Sequence, residues 1–348
     1  MIFLQKNLKI MFLKLVKYLA VLLAVVAALA AVSCKPMKKQ FILNEGVVWT
    51  TEYHIKYEAT ANLNDSIQQI FKVIDESSSA FNKQSRISAI NDNKSDEADA
   101  FIVKLYNKAL EVNGASGGLY DPTVMPLVNA WGFGYKSGEL PTRAQLDSIL
   151  QFVGMKHTAL QGNKIVKDDP RVQFDFSSIA KGMACDEVAA MLERNGVENY
   201  MVEIGGEVVA RGVNPSGQPW HVSIDMPEPD GGDGAQHTSA LVITLDGKAV
   251  ATSGNYRKYK ESGGKKLSHI VNPKTGGSET SNLLSVTIVA PDCMTADAWA
   301  TACMAMGEEK TKEMMENNSK LGVMTISVNE DGDFVIWSNK YFASLVVD

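Results

Sequence analysis

The spacing of apolar positions along the chain divides it into segments of two periods. "YHIKYEA" (Tyr53 to Ala59) alternates residue by residue and predicts a strand. From Asp65 the period changes: Ile67, Ile70, Phe71 and Ile74 make one apolar stripe of a helix, with Asp65 or Ser66 near its cap. A second helix is predicted over Ala100 to Gly118, ended by glycines, and a third over Arg143 to Phe152, after Pro141 and Thr142. "RVQFDF" (Arg171 to Phe176) reads as a strand running into "SSIAKGMACDEVAAMLERNG", a helix with Ser177 at its cap and Gly196 at its end. "NYMVEIGGEVVARG" is a hairpin about Gly205 and Gly206, and "WHVSID", "SALVITLD", "AVATSG" and "LLSVTIVA" add strands. Helices dominate the first half and strands the second, which predicts an α+β class, with mixed or antiparallel sheets flanked by helices in one domain of two lobes.

The N-terminus follows another pattern. Lys6, Lys9, Lys14 and Lys17 precede "YLAVLLAVVAALAAVSC", an apolar run closed by small residues, the anatomy of a secretory signal. Leu15 to Val32 also approaches the length of a single membrane span. Ala31, Val32 and Ser33 before Cys34 resemble a bacterial lipobox, which implies a signal over 1–33, a lipid on the Cys34 sulfur and a tether over 34–46. The folded domain is then expected over 47–348, membrane-anchored outside the cytoplasm, on the periplasmic side.

The chain has 34 basic and 40 acidic residues, and the four lysines before Cys34 leave 30 against 40, about −10, beyond the signal. Such a balance argues against nucleic acid as a partner. The cysteines beyond Cys34 are Cys185, Cys293 and Cys303, with no C-x-x-C pair, so neither a disulfide framework nor a zinc site is expected. "DMPEPDGGDGAQHTS" (Asp225 to Ser239) lacks periodicity and reads as a solvated loop.

Four segments carry candidate chemistry. "DFSSIAK" (Asp175 to Lys181) is a strand-to-helix junction whose N–H groups and Lys181 suit a phosphate, although alone it reads more readily as a capped helix with a solvated lysine. "SGGLYDPTVMPLVNAWGFG" (Ser116 to Gly134) is a long loop in which Tyr120 and Trp131 could stack on a planar ring or plug the core. "SHIVNPKTGG" (Ser268 to Gly277) places His269 at a strand end before a turn. "MTADAWATACMAMG" (Met294 to Gly307) reads as a helix apolar on every side, yet Asp297 and Thr301 sit one turn apart on one face of it. A buried unpaired carboxylate is costly, so a cation should face Asp297, and carboxylate and hydroxyl oxygens are hard ligands of the Mg²⁺ or Ca²⁺ type.

Together, in order, "FNKQSRISAIN", "SGGLYDPTVMPLVNAWGFG", "DFSSIAKG", "EIGGEV", "ATSGNYRKY", "HIVNPKTG" and "TADAWATACMAMG" resemble the ApbE family of FAD:protein FMN transferases, from about Gly46 to Gly307. The resemblance implies Mg²⁺-dependent transfer of the FMN half of FAD to a Thr or Ser hydroxyl of an exported acceptor protein, with release of AMP. It implies Asp297, Thr301 and the Ser178 carbonyl as metal ligands, and Phe81, Leu119, Tyr120, Asp121, Asp175, Lys181, His269 and Ile270 as nucleotide contacts. Acceptors in the family include subunits of ion-pumping redox complexes. His269 is the expected general base, since a neutral imidazole takes a hydroxyl proton near neutral pH. The alternatives are an FAD pyrophosphatase giving FMN and AMP, and a non-catalytic FAD-binding lipoprotein. The chain departs from the family pattern at Thr50, where a glycine is expected, at Asn272 in place of Asp, and at Glu203 in place of Asn.

Overall fold

The computed structural model describes residues 6, 9, 11–22, 38–134, 140–227, 238–255, 259–262, 265–278 and 281–347. Cys34, the centre of the 225–239 loop and residues 256–258 of "ATSGNYRKY" lie outside them. The chain divides into a unit ending at Gln40 and one compact unit over Phe41–Asp348. In the first, residues 11–22 are helical. Among the described residues no helix is long and apolar enough to cross a membrane.

The larger unit is α+β. Its main sheet has eight strands, β1 (Gln40–Val48), β2 (Thr51–Ala59), β5 (Tyr200–Ile204), β6 (Glu207–Arg211), β9 (Lys248–Gly254), β12 (Leu283–Ala290), β13 (Gly322–Val328) and β14 (Phe334–Ser338), hydrogen-bonded in that spatial order. The ladders from β2 to β14 are antiparallel. Two-stranded pairs join β3 (Thr158–Gln161) to β4 (Lys164–Lys167), β7 (Trp220–Asp225) to β8 (Ser239–Leu245), and β10 (Tyr259–Ser262) to β11 (Lys265–Ser268).

The described helices of this unit are α1 (Asn64–Ser78), α2 (Arg86–Asn91), α3 (Ala100–Ala115), α4 (Met125–Ala130), α5 (Arg143–Leu150), α6 (Ser177–Arg194), α7 (Cys293–Met306), α8 (Glu308–Met315) and α9 (Lys340–Ala343). Side chains alternate across a strand, so the sheet serves two cores. Ile55, Tyr57, Val202, Ile204 and Ala251 face the core built on α1, α3, α6 and α7, while Val208, Ala210 and Met324 face the β7–β8 hairpin and α9. Every residue of α7 except Thr301 is buried, because the helix is enclosed by α6, β9 and β12.

Several expectations are revised. The stretch 34–46 includes β1 from Gln40 onward, because Phe41 and Ile42 pack on the two cores and the buried Asn44 accepts the Tyr57 hydroxyl at 2.8 Å. The segment 116–134 is not all loop, since Met125, Leu127 and Val128 bury one side of α4. Residues 171–176 belong to no sheet; Val172, Phe174 and Phe176 are fully buried, and Gln173 makes a single bridge to Val124. Asn91 substitutes for a neighbouring strand: its Nδ2 donates to the Phe174 carbonyl at 2.8 Å and its Oδ1 accepts the Phe174 N–H at 2.7 Å. Asp65 and Ser66 lie in the first turn of α1, near its cap as expected, while the cap residue itself is Leu63, which offers no side-chain oxygen.

Candidate active site

The site lies where α6 and α7 cross. Gly182 makes that crossing possible: a Cβ there would lie 2.4 Å from the Cys293 carbonyl oxygen and 2.8 Å from Met294 Cα. At this approach the Gly182 N–H donates to Asp297 Oδ2 at 3.0 Å. In a regular helix that N–H would be directed at the Ser178 carbonyl, four residues earlier. Asp186, one turn beyond Gly182, fixes the start of α7 by accepting the Cys293 and Met294 N–H groups at 2.8 and 2.9 Å.

Asp297 is buried, and burial pushes its carboxyl pKa up, against the opposing pull of Lys181 and the Gly182 N–H. Lys181 projects from the first turn of α6, with its Nζ 2.5 Å from Glu207 Oε2. Burial works against its charge, but Glu207 and Asp297 hold its pKa above the ordinary lysine value. Burial, and then Asp297, push the Glu207 carboxyl up to about 8 even with the ammonium beside it. Thr301 Oγ1 lies 3.2 Å from Ser253 Oγ on β9.

The start of α6 is capped differently from the sequence expectation. Ser177 is its first residue rather than its cap; Asp175 Oδ1 accepts both the Ser177 N–H, at 2.9 Å, and its hydroxyl. Ser178 Oγ donates to the buried Tyr120 hydroxyl at 3.3 Å, and burial raises that phenol's pKa despite the contact. Asp121 turns inward: its carboxylate accepts from Thr123 N–H and Oγ, Met155 N–H and Asn113 Nδ2, and burial lifts its pKa.

Tyr120, Asp175, Ser178, Lys181, Asp297 and Thr301 therefore gather around the crossing. The other expected contacts form a second group. Ala80, next to Phe81, and Val271, next to Ile270, share a small core with Met125, Leu127 and Val128. Phe81 is exposed, Leu119 and Ile270 are half-buried against the main core, and the half-buried His269 ring meets Phe133 edge-on at 6.5 Å between centroids. The groups meet along the 116–121 loop, where a Cβ on Gly118 would sit 3.5 Å from Lys274 Cε. Trp131 packs half-buried against the small core of Met125, Leu127 and Val128; its Nε1 donates to the Gly276 carbonyl at 2.8 Å and ties α4 to the "NPKTGG" turn.

Among the described residues no three His, Cys, Asp or Glu side chains gather as a metal site. The expected donors require only one carboxylate, joined by a hydroxyl and a carbonyl. They fit a hard cation: Asp297 is buried next to a single ammonium, Thr301 is the one residue of α7 that is not fully buried, and the Ser178 carbonyl must share or lose its helical donor.

A sequence profile of the ApbE family matches residues 49–325. The chain belongs to the ApbE family. A relative from Haemophilus influenzae named FAD:protein FMN transferase is 36% identical over 346 residues, covering 94% of this chain and 98% of its own. A second, from Vibrio cholerae and with the same name, is 36% identical over 322 residues, covering 89% and 94%. The solved flavin transferase ApbE from Vibrio cholerae superposes with a TM-score of 0.78 at 33% identity, covering 88% of this chain and 99% of that one. The ApbE blocks read from the sequence contain the α6–α7 group, but two of its members carried no signal as partners. Glu207 and Ser253 lie inside "EIGGEV" and "ATSG", and only the sheet brings them to Lys181 and Thr301.

Proposed function

We propose that the protein is an FAD:protein FMN transferase, moving the FMN half of FAD onto a Thr or Ser hydroxyl of an exported acceptor and releasing AMP. The supporting observation is the hydrogen bond from the Gly182 N–H to the Asp297 carboxylate, which ties α6, the helix of the Ser178 carbonyl, to α7, the helix of Asp297 and the Thr301 hydroxyl. Mg²⁺ held by those three groups would neutralise charge on the pyrophosphate.

The chain's own residues do the rest. Lys181, whose pKa Glu207 and Asp297 raise against the cost of burial, adds a positive charge that would stabilise negative oxygens. Tyr120, Ser178 and Asp175 shape the start of α6, and the Asp121 carboxylate holds the loop that carries Leu119 and Tyr120. His269 takes the acceptor hydroxyl proton as that oxygen bonds to the FMN phosphorus; the phosphoanhydride bond breaks and AMP leaves with the electron pair. The apolar run before Cys34 supports placement at a membrane through a lipid on that residue, outside the cytoplasm.

The test is to incubate the protein with FAD, Mg²⁺ and a candidate acceptor, measuring AMP and flavin fluorescence on a denaturing gel. Asp297→Ala should lower AMP release about 100-fold or more with the fold retained, the usual scale for losing a metal or charge-stabilising group. His269→Ala should keep FAD binding and lose transfer. Free FMN with no labelled protein overturns the transferase reading, and unchanged activity in Asp297→Ala overturns the metal assignment.

A further inference from the structure

The two-residue turn between β5 and β6 is built from Gly205 and Gly206, with φ of +65° and +97°, values that β-carbon sterics penalise. Immediately after it, Glu207 enters the sheet as the first residue of β6 with its side chain on the α6 side. It is 2% exposed, and its carboxylate meets the Lys181 ammonium at 2.5 Å. One turn further along α6, Cys185 Sγ donates to the Glu207 backbone carbonyl at 3.3 Å. The same face of α6 thus holds Glu207 by both its main chain and its side chain.

A buried ion pair is a poor device for stability, because desolvating both charges offsets most of their attraction, and an apolar pair of similar size serves as well. The Lys181 side chain, however, keeps 32% of its surface exposed, against 3% for Glu207. An ammonium has three N–H donors, and the pair uses one of them. The others remain available, and Asp297 also acts on the Lys181 charge.

We propose that Glu207 is the positioning residue of this site: it anchors Lys181 so that the ammonium stands ready for the pyrophosphate of the dinucleotide and need not reorganise when charge builds there. The inference rests on the FMN-transfer reading, since that reaction supplies the anion Lys181 meets. Glu207 itself touches no substrate and acts only through Lys181.

The experiment is a double-mutant cycle on the full chain with Mg²⁺ and FAD, reading kcat/KM for AMP release with thermal melts alongside. Glu207→Ala should lower kcat/KM about 30-fold, Glu207→Gln less and Glu207→Asp least, because each successive variant keeps more of the anchor. In a Lys181→Met background the same Glu207 changes should cost under about 3-fold, since there is nothing left to position. Equal losses in both backgrounds, or Glu207→Ala within about 3-fold of the parent, overturn the proposal. If Glu207→Ala does not fold, Glu207→Gln carries the same comparison. Should the parent bind FAD but release no AMP, the transferase reading fails by itself, and the coupling is then read from FAD dissociation constants by flavin fluorescence. Absence of coupling there, or of FAD binding altogether, overturns the anchoring role as well.

Discussion

Replacing Gly182 by Ala pits two effects against each other at the crossing of α6 and α7. In a helix interior the change favours folding by about 1 kcal/mol through backbone entropy. Against this, the new Cβ would lie 2.4 Å from the Cys293 oxygen, 2.7 Å from its carbonyl carbon and 2.8 Å from Met294 Cα, about 1 Å inside ordinary contact. All three are main-chain atoms, so no side chain can rotate away and the helices must part. Overpacking of this kind costs about 1–3 kcal/mol. Parting the helices also stretches the 3.0 Å bond from Gly182 N–H to the buried Asp297 carboxylate, a charge-assisted bond worth about 1.5–3 kcal/mol. The losses win by about 2–4 kcal/mol, which for a domain of this size lowers Tm by roughly 4–8 °C. Thermal melts by circular dichroism, with FAD titrations alongside, measure both consequences. A Tm at or above the parent's with unaltered FAD affinity would refute the close-packed crossing.

Three further outcomes follow from single contacts. Burial moves the Asp186 carboxyl from 3.8 to about 6, so its protonated form is favoured in the folded chain; that contribution is full below about pH 4 and lost as pH rises to about 6, roughly 3 kcal/mol in all. Urea unfolding from pH 4 to 7 should therefore show the parent losing stability relative to Asp186→Asn across that window, whereas parallel curves contradict a carboxyl held protonated. Asn91→Ala strips both partners from the buried Phe174 backbone and should cost about 2–4 kcal/mol in the same unfolding assay, with under 1 kcal/mol counting against the strand-mimic role. Thr50 sits at φ +65° in the β1–β2 turn, so Thr50→Gly should stabilise by about 1 kcal/mol, and a lower Tm would show that the turn is not strained.

Legibility in the sequence depended on whether the signal was periodic or relational. The helix start after Pro141 and Thr142, the glycine stop at Gly117 and Gly118, and the Gly205–Gly206 hairpin are local events, and each stands at its expected place. "RVQFDF" alternates like a strand but joins no sheet and makes only a single bridge, to Val124; its apolar residues serve the core, and Asn91, far away in sequence, pairs with the Phe174 backbone. The lysines just before it, Lys38 and Lys39, drew the start of β1 into the tether reading, and an edge strand needs apolar contact on only some of its positions. The short α4 was hidden for the opposite reason, being too brief and too rich in loop residues to show a helical period.

The sequence by itself determined the family, through blocks kept in order, and placed Asp297 and Thr301 one turn apart on a helix too apolar to be exposed. Helical geometry makes that juxtaposition automatic once the segment is a helix. Only the tertiary structure decided what the pair faces. Gly182 has to let α6 reach the backbone of α7 before its N–H can meet Asp297, and the β5–β6 turn has to close before Glu207 can grip Lys181. These contacts join residues separated by up to 115 positions. Their energies come from desolvation and close approach, which exist only after the core has assembled.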